Sequence, residues 1–152
     1  MPDRPIYDAY VDGSFSAKHD RGAWAYVIVN PKTDKSIAEE VGLVDYTNNS
    51  ELRKLRNIAT ECLAVMNALK FAAGFNYKLD IIYDYVGLEK WVSDMTTGEE
   101  PWIANSDFTW EYRQAVLSYS DYVNSMKWVK GHSGDKWNEY VDGLATNLTG
   151  TN

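Results

Sequence analysis

Residues 6–46 read IYDAYVDGSFSAKHDRGAWAYVIVNPKTDKSIAEEVGLVDY. Ile6 to Asp12 is short, Tyr-rich and bounded by Gly13, the pattern of a strand. Gly22 to Asn30 is rich in β-formers and is stopped by Pro31. Lys35 to Tyr46 fits a third strand, joined to the second by the turn-like run Asn30-Pro31-Lys32-Thr33-Asp34. Three strands with short connections predict an antiparallel meander.

Downstream the period changes. Ile58, Cys62, Val65, Leu69 and Ala72 step by four and three, the spacing of an amphipathic helix, and Gly74 is the expected stop. Leu79 to Tyr83 reads as a strand that follows a helix and so lies parallel to an earlier one. A short helix is expected over Gly87 to Asp94 and a loop at Thr96 to Pro101. A second helix is marked by Phe108, Tyr112, Ala115, Val116 and Tyr119. Met126 to Val129 fits a last strand, and Trp137, Val141, Leu144 and Leu148 mark a last helix. The order is βββ-α-β-α-α-β-α, an α/β fold whose mixed five-stranded sheet carries helices on both faces.

The length, 152 residues, suits a single domain over 1–152. Hydrophobic residues at 45% and charged residues at 24% exclude a disordered chain. The longest apolar run, Ala23 to Val29, falls short of the roughly 20 residues of a membrane span. Met1-Pro2-Asp3-Arg4-Pro5 lacks the basic and apolar regions of a signal peptide. Cys62 is the single cysteine, so neither an internal disulfide nor a Cys-based zinc site can form, and a reducing cytoplasmic setting is expected. The Asn-x-Ser/Thr matches at Asn48 and Asn147 are then accidental.

Net charge is −7, which argues against nucleic-acid binding by bulk attraction. Its distribution is uneven. Ser93 to Ser125 holds six acids against one base, Arg113, whereas Arg53, Lys54 and Arg56, then Lys127, Lys130 and Lys136, form basic groups elsewhere. Local phosphate binding is compatible with that division. The acidic balance also permits salt adaptation.

Four carboxylates stand at element ends. Asp12 closes the first strand before Gly13, where a plain turn residue is the alternative. Glu61 borders the apolar face of its helix, an expensive place for a charge unless it pairs with Arg56 or Lys54 or binds a metal. Asp84 follows the fourth strand, beyond whose carboxyl end α/β sites form, and could equally cap a helix. Asp142 lies early in the last helix, with Glu139 as a rival, and either could simply offset the helix dipole. The loop Lys130-Gly131-His132-Ser133-Gly134 adds a histidine flanked by glycines, suited to proton transfer or product handling. If the four acids converge, hard divalent cations are the natural partners, and two of them would bind the attacking and leaving oxygens of a phosphodiester.

Several runs together resemble type 1 ribonuclease H over about residues 6 to 148. These are Tyr10-Val11-Asp12-Gly13-Ser14, Glu61 in the long helix, Tyr83-Asp84, and Val129-Lys130-Gly131-His132-Ser133-Gly134 followed by Asn138-Glu139 and Asp142. Arg56-Asn57, Tyr83-Asp84-Tyr85 with Gly87, Glu89, Lys90 and Trp91, and Gly131 to Lys136 look like a bacterial branch whose domain often follows an N-terminal hybrid-binding module. The resemblance implies an RNase H-like fold and endonucleolytic cleavage of RNA in RNA–DNA hybrids, leaving 5′-phosphate and 3′-hydroxyl ends. It implies that Asp12, Glu61, Asp84 and Asp142 hold two Mg²⁺ ions, with Mn²⁺ as a substitute. One ion would activate water and the other stabilise the departing 3′-oxygen. It further implies that His132 handles a proton or product, that Glu61 lies near a 2′-hydroxyl, and that Gly13, Ser14, Arg56 and Asn57 contact substrate.

Many relatives of this kind grip the hybrid with a basic helix and loop, where this chain is acidic. Weak intrinsic affinity, and reliance on a hybrid-binding module or partner, is therefore expected. Asp84 is followed by Tyr85 rather than the common Ser. Trp102 and Trp110 either stack on nucleotides or pack against the core. The alternative function is a catalytically quiet hybrid-binding or interaction domain of the same fold. A DNA-cutting transposase core fits less well, given the Gly131-His132-Ser133-Gly134 loop. No interface stripe is visible, and a monomer without membrane contact is expected.

Overall fold

A computed structural model describes residues 4–46 and 50–150. Asn48 and the first three residues lie outside the described residues. The elements are β1 (Ile6–Ser16), β2 (Arg21–Asn30), β3 (Lys35–Val44), α1 (Ser50–Leu55), α2 (Asn57–Phe75), β4 (Lys78–Tyr83), α3 (Gly87–Lys90), α4 (Ser93–Thr96), α5 (Asp107–Ser118), β5 (Val123–Trp128) and α6 (Lys136–Thr149). The five strands form one mixed sheet in the order β3-β2-β1-β4-β5. β1, β2 and β3 are antiparallel, while β4 runs parallel to both β1 and β5.

Strand alternation sends side chains to two cores. Ala9, Val11, Ile28, Leu79 and Ile81 join α2 and α5 residues in the larger cluster. Ala23, Ala25, Val27 and Val29 join Val141 and Ala145 of α6 in the smaller one. The stripe Cys62, Val65, Leu69 and Ala72 is buried, so the spacing read from sequence is the face α2 lays on the sheet. By length and composition α2 could cross a membrane, but half of its apolar window is buried inside the protein.

Several boundaries differ from the sequence reading; β5, for one, runs Val123–Trp128 rather than Met126 to Val129. β1 does not end at Asp12 but continues to Ser16, because β2 pairs with it from Asp8↔Val29 to Ser16↔Arg21. The strand loses its neighbour on the other side, where pairing with β4 ends at Tyr10↔Ile82. α2 runs through Gly74 and stops at Asn76, whose left-handed backbone (φ 58°) turns its N–H back to Ala72 and Ala73 carbonyls. The short helix expected over 87–94 is two single turns, α3 and α4. An additional helix, α1, precedes α2, and Arg56 separates the two.

Polar contacts fix where α6 sits. The Asp135 side chain caps its first turn by accepting from the Asn138 N–H at 2.9 Å. Asp34, in the β2–β3 turn, accepts from Trp137 Nε1 at 2.6 Å and Lys136 Nζ at 2.9 Å. The Tyr140 hydroxyl donates to Glu39 of β3 at 2.6 Å.

Gly13 sets the approach of α2. A Cβ there would stand 2.1 Å from Thr60 Oγ1 and 2.7 Å from the Glu61 backbone nitrogen. Backbone cannot give way as a flexible side chain can, so Gly13→Ala must push the helix off the strand. The expected loss is about 2 kcal/mol, a fall in Tm of roughly 5 °C, read by thermal circular dichroism. An unchanged Tm would show that α2 does not approach β1 this closely.

Candidate active site

β1 reaches past the end of β4, and the space left beyond β4 is where the carboxylates meet. By alternation Asp12 shares the face of Tyr10, while Gly13, without a side chain, shares the face of Val11 and admits α2. Glu61, in the second turn of α2, thereby reaches the same edge. Asp84 arrives one residue after β4. Oxygens of Asp12, Glu61 and Asp84 lie within 4.8 Å of one another. Asp12 and Glu61 are each 3% exposed, so burial is nearly complete for two of the three.

Asp12 is no turn residue, since it stands opposite Ala25 within the sheet. Glu61 faces acids rather than a cation, and its Oε2 is buried without a hydrogen-bond partner. Arg56 instead lays its guanidinium over Phe15, 5.6 Å from the ring centre. Asp142, half-buried on α6, is close enough to raise both Asp12 and Asp84 but stands outside the tight group of three. Its rival Glu139 is exposed.

The electrostatics follow from this packing. Burial, then the Asp84 charge, pushes Asp12 up to about 8, against the lowering effects of Glu61 and of the Gly13 N–H, which donates to Asp12 Oδ1 at 2.8 Å. Glu61 is raised well above its ordinary value by burial and then by Asp12. Burial also raises Asp84, opposed by the Asn138 amide and by His132. No lysine or arginine forms an ion pair with the three acids among the described residues. Buried, unpaired carboxylates of this kind require protons or a divalent cation. All-oxygen donors with one unpartnered buried oxygen fit a hard cation such as Mg²⁺.

The remaining predicted residues are distributed around this edge. His132 is exposed and takes a left-handed backbone (φ 57°), with Gly134 at φ 91° two residues on. Gly131 sits so close that a Cβ would be 3.3 Å from Asp84 Oδ2, which draws the histidine loop against the acid. Gly13 is buried, and Ser14 Oγ lies 3.4 Å from Thr149 Oγ1 of α6. Arg56 and Asn57 are exposed at the start of α2. Trp102 and Trp110 are 45% and 55% exposed, and Trp102 stands edge-on to Trp91.

Two contributors were not singled out as site residues from the sequence. Asn138 is buried with its amide toward Asp84 and its Nδ2 short of a hydrogen bond. It stands four residues before Asp142, one helical turn away on the same face, a spacing that could have flagged it. Trp128 Nε1 donates to the Asp84 carbonyl at 2.9 Å, and the Val129 N–H donates to the Tyr83 carbonyl at 2.8 Å. These bonds fix the backbone that carries Asp84. No local sequence signal announces a brace between two strands 44 residues apart.

The raised carboxyls predict how stability depends on pH. The folded protein keeps the Asp12 proton up to about pH 8, whereas the unfolded chain releases it near the ordinary 3.8. The native state thus binds more protons between these values, and raised Glu61 adds to the difference, so stability of the metal-free protein falls as pH rises from about 4 to about 8. Thermal unfolding in EDTA across this range should show the decline, and saturating Mn²⁺ should flatten it. Stability that rises with pH over this window would contradict the arrangement.

Comparison with known proteins agrees with this architecture. The RNase H family profile matches residues 5–149. A protein named ribonuclease H from Wolbachia sp. subsp. Drosophila simulans (strain wRi) is 31% identical over 144 residues, covering 90% of each chain. Another so named, from Pseudoalteromonas translucida (strain TAC 125), is 26% identical over 150 residues, covering 95% of this chain and 90% of its own. Among solved structures, RNase H1 from the halophilic archaeon Halobacterium salinarum NRC-1 superposes with a TM-score of 0.73 at 21% identity, covering 97% of this chain and 99% of that one. The N-terminal RNase H domain of a Mycobacterium tuberculosis protein gives 0.70 at 14% identity, over 97% and 95%. The last two likenesses establish the shared fold, and the family match over nearly the whole chain shows that this protein belongs to the RNase H family of hydrolases.

Proposed function

We propose that this chain cuts the RNA strand of RNA–DNA hybrids with the help of two divalent cations, leaving 5′-phosphate and 3′-hydroxyl ends. The observation that carries this reading is the trio Asp12, Glu61 and Asp84, two of them buried, drawn within 4.8 Å with no lysine or arginine paired to it among the described residues. Together with Asp142 across the edge, these residues would hold Mg²⁺, or Mn²⁺ in its place. Cations bound there would supply positive charge where water loses its proton and where negative charge develops on the departing oxygen.

The chain's own groups have the following roles. Water oxygen bonds to phosphorus in line with the breaking P–O3′ bond; the water gives up a proton and the 3′-oxygen gains one. His132, on a loop held against Asp84 by Gly131, handles the proton on the leaving side or the product. Asn138 and Trp128 orient Asp84. Glu61 faces the ribose 2′-hydroxyl, the group that separates RNA from DNA. Gly13, Ser14, Arg56 and Asn57 border the acids and contact phosphate and minor groove.

A groove of about 550 Å³ is lined mostly by Leu55, Ile58, Tyr85, Trp91, Trp102 and Ile103, with Asn105 and Thr109 as its polar members, and Tyr85 is the chain neighbour of Asp84. Its apolar and aromatic walls suit sugars and base faces rather than phosphates. Net attraction for the hybrid is weak, because the one base of the acidic 93–125 segment is occupied. Arg113 makes a bidentate pair with Asp94 at 2.8 and 2.9 Å and also donates to the Trp91 carbonyl. A hybrid-binding module or partner would supply the missing positive charge. Cys62, buried and free, suits a cytoplasmic setting, and one chain assembles the whole site, so a monomer suffices.

The test is cleavage of end-labelled RNA in hybrid, in duplex RNA and alone, with the DNA strand labelled in parallel, each with Mg²⁺, Mn²⁺ or EDTA. RNA should be cut only in the hybrid and only with metal. Asp12→Asn should lower the rate by roughly three orders of magnitude, the scale of removing a group that acts on the reacting atoms. Full activity in that variant would remove Asp12 from the site. Hybrid bound but never cut would favour the quiet binding domain.

A further inference from the structure

Backbone strain at the start of α2 stands out against the rest of the chain. Among the described residues, Asp20, Asp34, Asn76 and His132 are non-glycine residues with positive φ, and these side-chain types tolerate that region. Arg56 is the fifth and does not belong to that group. Its φ of 48° and ψ of −113° lie outside even the left-handed helical region, in a conformation that suits glycine. Strain of this kind persists only where surrounding structure enforces it, and it gathers at functional sites.

The enforcing contacts are visible. The Arg56 N–H donates to the Leu52 carbonyl at 3.0 Å, closing the last turn of α1. The Arg56 carbonyl accepts from the Tyr46 hydroxyl at 3.2 Å. Tyr46 is 5% exposed and packs edge-on against Phe15, ring centres 5.8 Å apart. Phe15 in turn carries the Arg56 guanidinium on its face. Gly22 leaves room for the tyrosine, since a Cβ there would meet Tyr46 Oη at 2.2 Å. Burial and the Asp20 charge push the Tyr46 hydroxyl up to about 12, so it remains a donor at neutral pH. No carboxylate forms an ion pair with Arg56 among the described residues, and its charge stays exposed beside Asn57.

We propose that Tyr46 is a positioning residue for substrate binding: it locks the strained Arg56 backbone and, with Phe15, aims the Arg56 guanidinium at the nucleic-acid backbone. This rests on the reading, proposed above, that Arg56 contacts substrate phosphate. Tyr46 itself touches no substrate. A glycine at position 56 would relieve the backbone and lose the cation, which explains why a strained arginine stands where glycine fits better.

The test is a double-mutant cycle on hybrid binding, measured by fluorescence anisotropy in EDTA and paired with steady-state cleavage in Mg²⁺. Tyr46→Phe removes one hydroxyl and should raise Kd and KM about five-fold, with kcat changing by no more than about two-fold. Arg56→Gly should weaken binding and reduce the slope of log Kd against log salt by about 1. In the Arg56→Gly background, Tyr46→Phe should have no further effect. Phe15→Leu, a second probe of the same support, should weaken binding only when Arg56 is present. An equal effect of Tyr46→Phe in both backgrounds, or a lowered Tm with unchanged Kd, overturns the positioning role. Unaltered binding and salt slope in Arg56→Gly overturns it at its root, by removing Arg56 from the substrate contacts.

Discussion

Three carboxylates held within 4.8 Å of one another, two of them almost fully buried, impose the constraint around which this molecule is arranged. Two full negative charges about 5 Å apart repel by roughly 3 kcal/mol at an effective dielectric near 20, and burial adds a desolvation penalty. Folding must therefore hold the acids together against their own repulsion. The sheet does this by ending the β1–β4 pairing two residues short of Asp12, so that Asp84 turns in beside it. Gly13 does it by leaving no side chain between β1 and α2, which brings Glu61 over the strand end. Protons and divalent cations are the two species that relieve the resulting charge.

The opposite wall is assembled separately and is joined to this edge. α6 lies on the smaller core through Val141 and Ala145, and its first turn is tied to the β2–β3 turn by Asp34. That tie places Asn138 and Asp142 opposite Asp84 and sets the start of the helix where the His132 loop must end. Trp128 and Gly131 complete the junction, one by bonding the Asp84 carbonyl and the other by its lack of bulk. Asp84 is thus braced from β5 and crowded by the loop, with Asn138 of α6 facing it, although it lies only one residue beyond β4. The acid with the greatest exposure of the trio has the most external support.

Much of this was legible in the residues. The 3.6 period from Ile58 to Ala72, the β-rich runs before it and the later helical stripes were sufficient for the mixed sheet and its main helices, whereas α1, which buries none of its residues, has no such stripe to read. Asp12, Glu61, Asp84 and Asp142 were readable as a group through the family resemblance; the first three meet within 4.8 Å, and Asp142 stands outside that tight group. What was hidden depends on pairing across long distances. Asp12 looked like the end of a strand because Gly13 follows it, yet β2 supplies hydrogen bonds through Ser16. Gly74 looked like a helix stop, yet Asn76 provides the left-handed turn. Neither the Asp94–Arg113 pair, the Trp128 bond to Asp84 nor the Tyr46 support of Arg56 has a local signature.

Carboxylates raised by burial and by one another fit a site that trades protons for a divalent cation. Calorimetric titration of the metal-free protein with Mn²⁺ near neutral pH, repeated in buffers of different ionisation enthalpy, counts the protons released on binding. With Asp12 raised to about 8 and Glu61 raised beside it, metal binding should release about one proton or more, and Asp12→Asn should reduce the release. Metal binding with no proton release, or with the same release from Asp12→Asn, would contradict the account.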